Sequence, residues 1–232
     1  MATIAVQKSK LRSDDIFFPT MALLILAIVV TGFAQSYFFA GMIRAKLPSA
    51  VVHVHGALFV TWIFLLVTQA SLVAFHKVKL HMTLGTLGFI LPPMMVVAGI
   101  LTLFGAVRRG VDGIPPEILL AGDFENLVIF IILISWGMRA RRNGAFHKRL
   151  MILGTMAITG PAIDRWGFGL FVTLGVIIAL PIIVLAYDLW SLRRVHRSTA
   201  VGTAMIVTAM LTLLPFSRMG FWHQFVSWIQ RN

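Results

Sequence analysis

Histidines are the residues of this sequence best suited to chemistry. The 232-residue chain contains seven of them and no cysteine. The lack of cysteine excludes iron–sulfur clusters, thiolate metal sites and covalently attached c-type heme. Any metal or redox chemistry must therefore use imidazole, together with carboxylates, as ligands.

Three histidines stand at or just before the start of separate apolar stretches, namely His81, His147 and His196. If these stretches cross a membrane in the same direction, the three side chains lie at one depth. A bis-histidine heme needs an axial ligand from each of two facing helices at one level. The arrangement fits such a heme, but histidines at a membrane surface also reach water and need no metal.

Small residues follow two of these histidines at helical spacing. They leave room for a flat macrocycle, and they equally allow two membrane helices to pack closely. Both interpretations stay open from spacing alone. The stripe of His81 continues through Gly85, Gly88, Pro92 and Gly99, and that of His147 through Met151, Gly154, Ile158 and Pro161.

The pair His53 and His55 begins another apolar stretch, which runs in the opposite direction. Residues two apart on a helix point about 200° away from each other, so only one of the pair can face a bundle. We predict that His55 faces inward. The far end of its stripe is Gln69, which also needs a polar partner.

Ionisable residues near the level of His53 and His55 form a second candidate site. Asp123 and Glu125 lie inside one apolar stretch, and Arg165 ends another. Ionisable groups within a membrane span are costly and usually have a partner or a function. One interpretation is an ion pair of Arg165 with Asp123 or Glu125, joining two helices.

A functional interpretation combines these groups in an outer pocket. His53, His55, Asp123 and Glu125 could bind a metal ion through imidazole and carboxylate. The same pocket could bind a quinone head group and relay its protons. For zinc hydrolysis, no spaced motif such as H-E-x-x-H occurs.

The elements that position these residues follow from composition. The chain is 59% hydrophobic and 12% charged, whereas soluble domains carry about a quarter charged residues. We therefore predict an all-α, polytopic transmembrane bundle in a bilayer, forming a single domain over 1–232. Its helices, about seven in number, are predicted at about 16–40, 49–75, 81–107, 118–138, 146–166, 170–189 and 199–216. A short amphipathic tail, 221–232, is expected at the membrane surface, where Trp222 and Trp228 would lie.

The basic residues predict the orientation of these helices. The net charge of +12 comes from short runs between apolar stretches, so binding to nucleic acid is excluded. With the N-terminus inside, 13 of the 20 lysines and arginines face inward, as the positive-inside rule requires. His81, His147 and His196 then lie near the inner face. A basic inner rim orients the protein and could attract anionic lipid or heme propionates; it comprises Arg139, Arg141, Arg142, Lys148 and Arg149.

Several segments together carry a resemblance to known proteins. They are H-V-H-G-A-L-F at 53–59, Gln69, H-x-x-L-G at 81–85, H-K-R-L-M at 147–151 and D-R-W at 164–166. Over most of its length the chain resembles an uncharacterised family of bacterial inner-membrane proteins. That family is distantly similar to transmembrane four-helix heme-binding folds, which include the di-heme b-type cytochromes that move electrons from ascorbate, heme A synthase and oxidase-assembly proteins.

In the di-heme cytochromes, one heme lies between the second and fourth helices and the other between the third and fifth. The resemblance implies that His81 and His147 hold the second of these hemes, with His196 as a substitute ligand. For the first heme, His53 or His55 matches on the second helix. The fourth helix has no histidine and offers Asp123, Glu125 and Asn126 instead.

The resemblance thus implies a b-type heme protein of the bacterial inner (plasma) membrane that transfers electrons in or beside a respiratory chain. Two alternatives stay open. Because the chain has almost no extramembrane mass, it could be a non-catalytic subunit or assembly factor of a larger complex. It could also be a metal-dependent membrane enzyme or transporter that uses the outer pocket, although no inverted repeat supports transport.

Overall fold

The computed structural model describes residues 12–39, 49–111 and 113–231. Ala40 and Asn232, which end the predicted first span and the predicted tail, lie outside these ranges. Four of the 20 basic residues counted for the orientation lie outside them as well: Lys8, Lys10, Arg44 and Lys46. The described part is helical, with one isolated β-bridge between Val111 and Ile114. Its helices are α1 Ser13–Phe33, α2 Ala50–Ala74, α3 Val78–Leu84, α4 Leu87–Arg109, α5 Pro116–Arg139, α6 Gly144–Ala157, α7 Gly160–Asp164, α8 Leu170–Leu192, α9 Arg197–Ser217 and α10 Gly220–Arg231.

Six helical segments are long and apolar enough to cross a membrane. They are α1, α2, the continuous stretch Val78–Arg109 formed by α3 and α4, α5, α8 and α9. A bilayer core of about 30 Å needs about 20 apolar residues in a helix, which each segment provides. The chain is therefore an all-α, multi-pass membrane protein, as the composition predicts, and its apolar helices contact lipid.

The fifth predicted span, 146–166, is a broken helix, so the described residues contain six helices long enough to span a membrane where the sequence predicts about seven. Pro161 has no N–H to bond the carbonyl of Ala157, and the Thr159 hydroxyl donates to the Met156 carbonyl at 2.7 Å. These two features end α6 at Ala157. α7 then starts at Gly160 with Pro161 in its first turn, where a missing N–H is tolerated.

The pair α6 and α7 nevertheless runs antiparallel along α5. His147 near the start of α6 bonds Gly137 near the end of α5. Farther along, an added Cβ on Gly154 would lie 2.8 Å from Ile134 Cδ1, and one on Gly160 would lie 3.8 Å from Asn126 Nδ2. The broken pair thus covers the same depth as its neighbour.

The C-terminal helix α10 packs against the bundle more closely than a free surface helix would. Trp222 is buried against Leu103, Val107 and Leu120 of α4 and α5, so only Trp228 is half exposed, at 50%. The Arg108 Nε donates to the Ile229 carbonyl at 3.0 Å. This docking corrects the expectation that both tryptophans lie at the membrane surface.

Candidate functional site: a histidine pair at the inner end

We term the end of the bundle at which α1 begins the inner end, following the orientation predicted from charge. There, His81 of α3 lies beside His147 of α6. The two imidazole ring centres are 6.2 Å apart, and the ring planes are at 85°. The structure thus brings together two of the three histidines that the sequence places at one level.

The two imidazoles share one hydrogen-bonding pattern. His81 Nδ1 lies 3.3 Å from the Gln69 carbonyl oxygen, and His147 Nδ1 lies 2.8 Å from the Gly137 carbonyl oxygen. A carbonyl can only accept, so these partners assign a proton to Nδ1 in each ring. In the neutral ring, Nε2 then keeps a free lone pair, which is the form that binds a metal.

Tight turns explain why both rings find such a partner. Each histidine follows a short connection between antiparallel helices and reaches back to a carbonyl near the end of the preceding helix. Between α2 and α3 the turn uses His76 at φ 59°, and between α5 and α6 the Asn143 side chain accepts from the Phe146 N–H at the start of α6. Two similar turn-and-helix units therefore present the two imidazoles.

Gly137 also sets how closely α6 approaches α5. A Cβ at this position would lie 3.1 Å from Met151 Sδ and 3.2 Å from Leu150 Cβ. Glycine therefore lets the carbonyl that His147 uses lie directly against α6. A larger residue here would push the two helices apart and lengthen that hydrogen bond.

The separation of the rings matches ligation of one metal ion by both. Two metal–nitrogen bonds of about 2 Å, plus roughly 1 Å from each nitrogen to its ring centre, give about 6 Å between ring centres. The observed 6.2 Å agrees with this sum, and it is also an ordinary edge-to-face distance between two rings. The donor set therefore fits a b-type heme, whose iron takes two axial imidazoles.

Polar groups beside the pair add to this fit. Arg141 lies over the Phe89 ring at 5.5 Å, donates to the Met138 carbonyl at 3.3 Å, and is within electrostatic range of His147. It is a cation of the kind that pairs with carboxylates. The buried side-chain amide of Gln69 has no hydrogen-bond partner within the described residues.

His196, the predicted substitute ligand, has a different role. It is the N-cap of α9, where its Nδ1 accepts from the Ser198 N–H at 3.3 Å. Its ring packs on Phe146 with centres 4.7 Å apart, so the structure does not pair it with His81 or His147. Burial and the nearby positive charge of Arg149 lower the pKa of His196.

The structure also reveals a buried ion pair that the sequence analysis missed. Arg149 and Asp188 are 1% and 0% exposed. The Arg149 Nε and Nη2 donate to Asp188 Oδ1 at 2.9 and 2.6 Å, and Asp188 Oδ2 accepts from the Thr199 hydroxyl at 2.6 Å and the His196 N–H at 3.1 Å. Arg149 is therefore not a rim charge. The signal in the sequence was Asp188, an acid within an apolar span that requires a partner.

Lys148 is a second residue of the predicted basic rim that has a specific partner. It forms a salt bridge with Asp14 of α1. Asp14 also accepts from the Tyr187 hydroxyl at 2.7 Å. This contact joins α1, α6 and α8 at the inner end. Arg139, Arg141 and Arg142 are the exposed members of the predicted rim.

At the outer end, the two histidines of α2 separate as predicted. His55 points into the bundle: its ring stacks on Phe59 at 4.1 Å and hydrogen-bonds the Ala98 backbone. Its Nδ1 is buried without a partner among the described residues. His53 instead lies 2.9 Å from the Tyr37 hydroxyl through Nδ1. The two rings thus belong to different surroundings.

The structure describes Arg165, Asp123 and Glu125, and Arg165 forms no salt bridge with either acid. It donates to the Pro161 carbonyl of its own helix at 2.5 Å and lies over the Phe33 ring at 4.4 Å. It remains within electrostatic range of Asp123 and His55. Because Arg165 follows the short helix α7, its side chain folds back on that helix.

The outer residues do not form a metal site in the described part of the chain. No group of three or more histidines, aspartates and glutamates there lies close enough to hold a metal ion. Glu125 faces a cavity of about 530 Å³ between α5 and α9, which Phe124, Met205 and Phe216 also line. The structure therefore gives no support to metal binding by His53, His55, Asp123 and Glu125.

Comparisons with known proteins add no information on these sites. The chain matches no protein-family model, no curated protein and no solved structure.

Proposed function

We propose that this membrane protein binds one b-type heme between His81 and His147 and carries electrons in or beside the respiratory chain of a bacterial inner membrane. The observation that supports the proposal most is the histidine pair itself. Its ring centres are 6.2 Å apart, and both Nδ1 atoms lie against backbone carbonyls.

The number of protein ligands favours heme over a bare metal ion. A zinc or other transition-metal site usually takes three or four protein ligands, and no such group occurs among the described residues. A b-type heme needs only two, because the porphyrin supplies the other nitrogens. Two imidazoles with free Nε2 atoms are therefore a sufficient set.

The protein residues would hold and orient the group. When bound, a heme of this type supplies one-electron transfer at its iron. His81 and His147 would hold the iron, while the carbonyls of Gln69 and Gly137 would fix the orientation of the two rings and increase their basicity. Arg141, near His147, offers a positive charge to a propionate.

The proposal is limited to one heme. The outer heme that the resemblance suggests would need a second iron ligand on α5, opposite His55. The described residues of α5 at that level are Asp123, Glu125 and Asn126. A carboxylate or amide is a poor substitute for a second imidazole on heme iron. His55 therefore has no matching axial ligand across the bundle.

An absorption spectrum of the purified protein, oxidised and reduced, tests the proposal. Protein from heme-replete cells should show a Soret band that shifts on reduction. His147→Ala should abolish that band, while His196→Ala, at the same level, should keep it. Gel filtration would establish that both variants fold, and wild-type protein without a Soret band would contradict the proposal.

Electron transfer also requires a donor and an acceptor. Outside the helices, the described residues form only short connections, and no soluble domain that could bind a donor occurs among them. We therefore include a partner subunit of a larger membrane complex in the proposal. Purification in mild detergent should recover a heme-containing complex larger than the single chain, and a monodisperse lone chain that turns over a soluble donor would contradict this part.

A further inference from the structure

We infer that Gln69 is a further cofactor-binding residue, whose side-chain amide hydrogen-bonds the group held by His81. This inference rests on the proposed function, because it requires a group bound beside His81. It assigns to Gln69 a contact beyond the backbone carbonyl that already bonds His81 Nδ1.

The first observation is that the Gln69 amide is unsatisfied. Both Nε2 and Oε1 are buried, and neither has a hydrogen-bond partner within the described residues. Buried polar side chains in native proteins are almost always hydrogen-bonded, and each exception needs an explanation. An amide that lacks partners for both its donor and its acceptor is therefore a sign of a group that normally occupies the adjacent space.

The second observation is where this amide lies. A Cβ built on Gly85 would be 3.7 Å from Gln69 Nε2. Gly85 is four residues beyond His81, on the same side of the helical turn. The amide therefore lies beside the turn of helix that carries His81, and the absence of a side chain at Gly85 lets the amide approach that turn closely.

The chemistry of a b-type heme suits this amide. Its propionates are carboxylates, which accept from N–H donors, and water bound to a carboxylate can donate to an amide oxygen. Gln69 lies near the inner end of α2, five residues before Ala74, which is the end at which carboxylates can reach water. Donation to a carboxylate also reduces the negative charge felt by the iron, so the amide should raise the reduction potential.

Gln69→Leu tests the inference through the rate of heme release to an excess of apomyoglobin and through the reduction potential. Loss of a hydrogen bond to a charged group predicts release roughly tenfold faster or more, together with a lower potential. Thr203→Val is the matched control: its hydroxyl is also buried and unpaired, on a helix that carries neither histidine of the pair. It should leave both values unchanged.

A second readout distinguishes cofactor contact from a structural role. In heme-depleted full-length protein, Gln69→Leu should raise the apparent Tm, because it removes an unsatisfied amide, while heme should stabilise the variant less than the wild type. Gln69→Met, which keeps the side-chain length, serves if the leucine variant does not fold.

The outcomes separate the two claims. Wild-type protein that binds heme, with a Gln69→Leu or Gln69→Met variant of unchanged release rate and potential, would overturn this inference and leave the proposed function standing. Wild-type protein that binds no heme would overturn both.

Discussion

The two ends of the bundle hold their polar side chains in different ways. At the inner end, Arg149 is paired with Asp188, and the Nδ1 atoms of His81 and His147 lie against carbonyls. At the outer end, His55 Nδ1 has no partner among the described residues, and Arg165 bonds its own helix. The tight turns before α3 and α6 fold each helix back on the preceding one and bring His81 and His147 together, whereas no turn of this kind brings Arg165 to Asp123 or Glu125.

The largest expected effect comes from removing a histidine from each end. His81→Ala should lose the bound heme, because the remaining imidazole is a single axial ligand, whereas His55→Ala should retain it. Heme content per chain, measured as the pyridine hemochrome, checks both. Loss of heme from His55→Ala with retention in His81→Ala would place the cofactor at the outer end instead.

Removing an arginine should also destabilise the protein more at the inner end than at the outer end. Arg149→Ala leaves Asp188 buried and unpaired, which should cost about 3–5 kcal/mol. Arg165→Ala removes no salt bridge and should cost about 1 kcal/mol or less. Denaturant unfolding in detergent micelles measures both.

The double variant Arg149→Met with Asp188→Leu sharpens this test. It removes both charges, so it should recover most of the stability lost in Arg149→Ala. Equal destabilisation by Arg149→Ala and Arg165→Ala would show that the two ends do not differ.

A smaller effect is expected for His55→Leu. The substitution removes a buried Nδ1 that has no partner among the described residues, but it also removes the hydrogen bond of the ring to the Ala98 backbone, so the net change in stability should be about 1 kcal/mol or less. His147→Leu in heme-free protein is the comparison, because it removes a satisfied ring and leaves the Gly137 carbonyl unpaired. If His55→Leu were the more destabilising of the two, the bond of His55 to the Ala98 backbone would contribute more than that of His147 to Gly137.

The smallest expected effect is a pH dependence from His196. Burial, together with the positive charge of Arg149, lowers its pKa in the folded protein. The unfolded state therefore binds the proton more readily, and stability should fall as the pH drops below about 6.5. Protonation also removes the acceptor that caps the Ser198 N–H.

His196→Asn keeps an N-capping side chain but does not titrate. Comparing the stability of this variant with that of the wild type between pH 7.5 and 5.5 isolates the contribution of His196. An identical pH profile would show that the imidazole stays neutral or that its charge is compensated.

Most of the fold follows from the sequence for a simple reason. Apolar runs long enough to cross a bilayer predict the spans, and α2, α5 and α9 begin and end within about two residues of the predictions. The break between α6 and α7 is less visible, because the apolar pattern is continuous through 146–166. Pro161 indicates a break, but a proline in a first turn is equally compatible with a helix start.

The candidate site could be predicted only in part. Equal depth of His81 and His147 follows from helix direction, whereas their contact depends on the rotation of each helix about its axis, which hydropathy does not determine. Arg149 illustrates the same limit: it lies in a basic run that resembles an orienting rim, and its partner Asp188 is 39 residues away. Which basic residue turns inward is decided by packing.

Heme stoichiometry combined with electron paramagnetic resonance of the oxidised protein tests the central claim most directly. We expect one heme per chain with a low-spin signal, because in the proposed site His81 and His147 would both bind the iron. A five-coordinate, high-spin signal, two hemes per chain, or no heme at all would contradict the assignment of this histidine pair as the cofactor site.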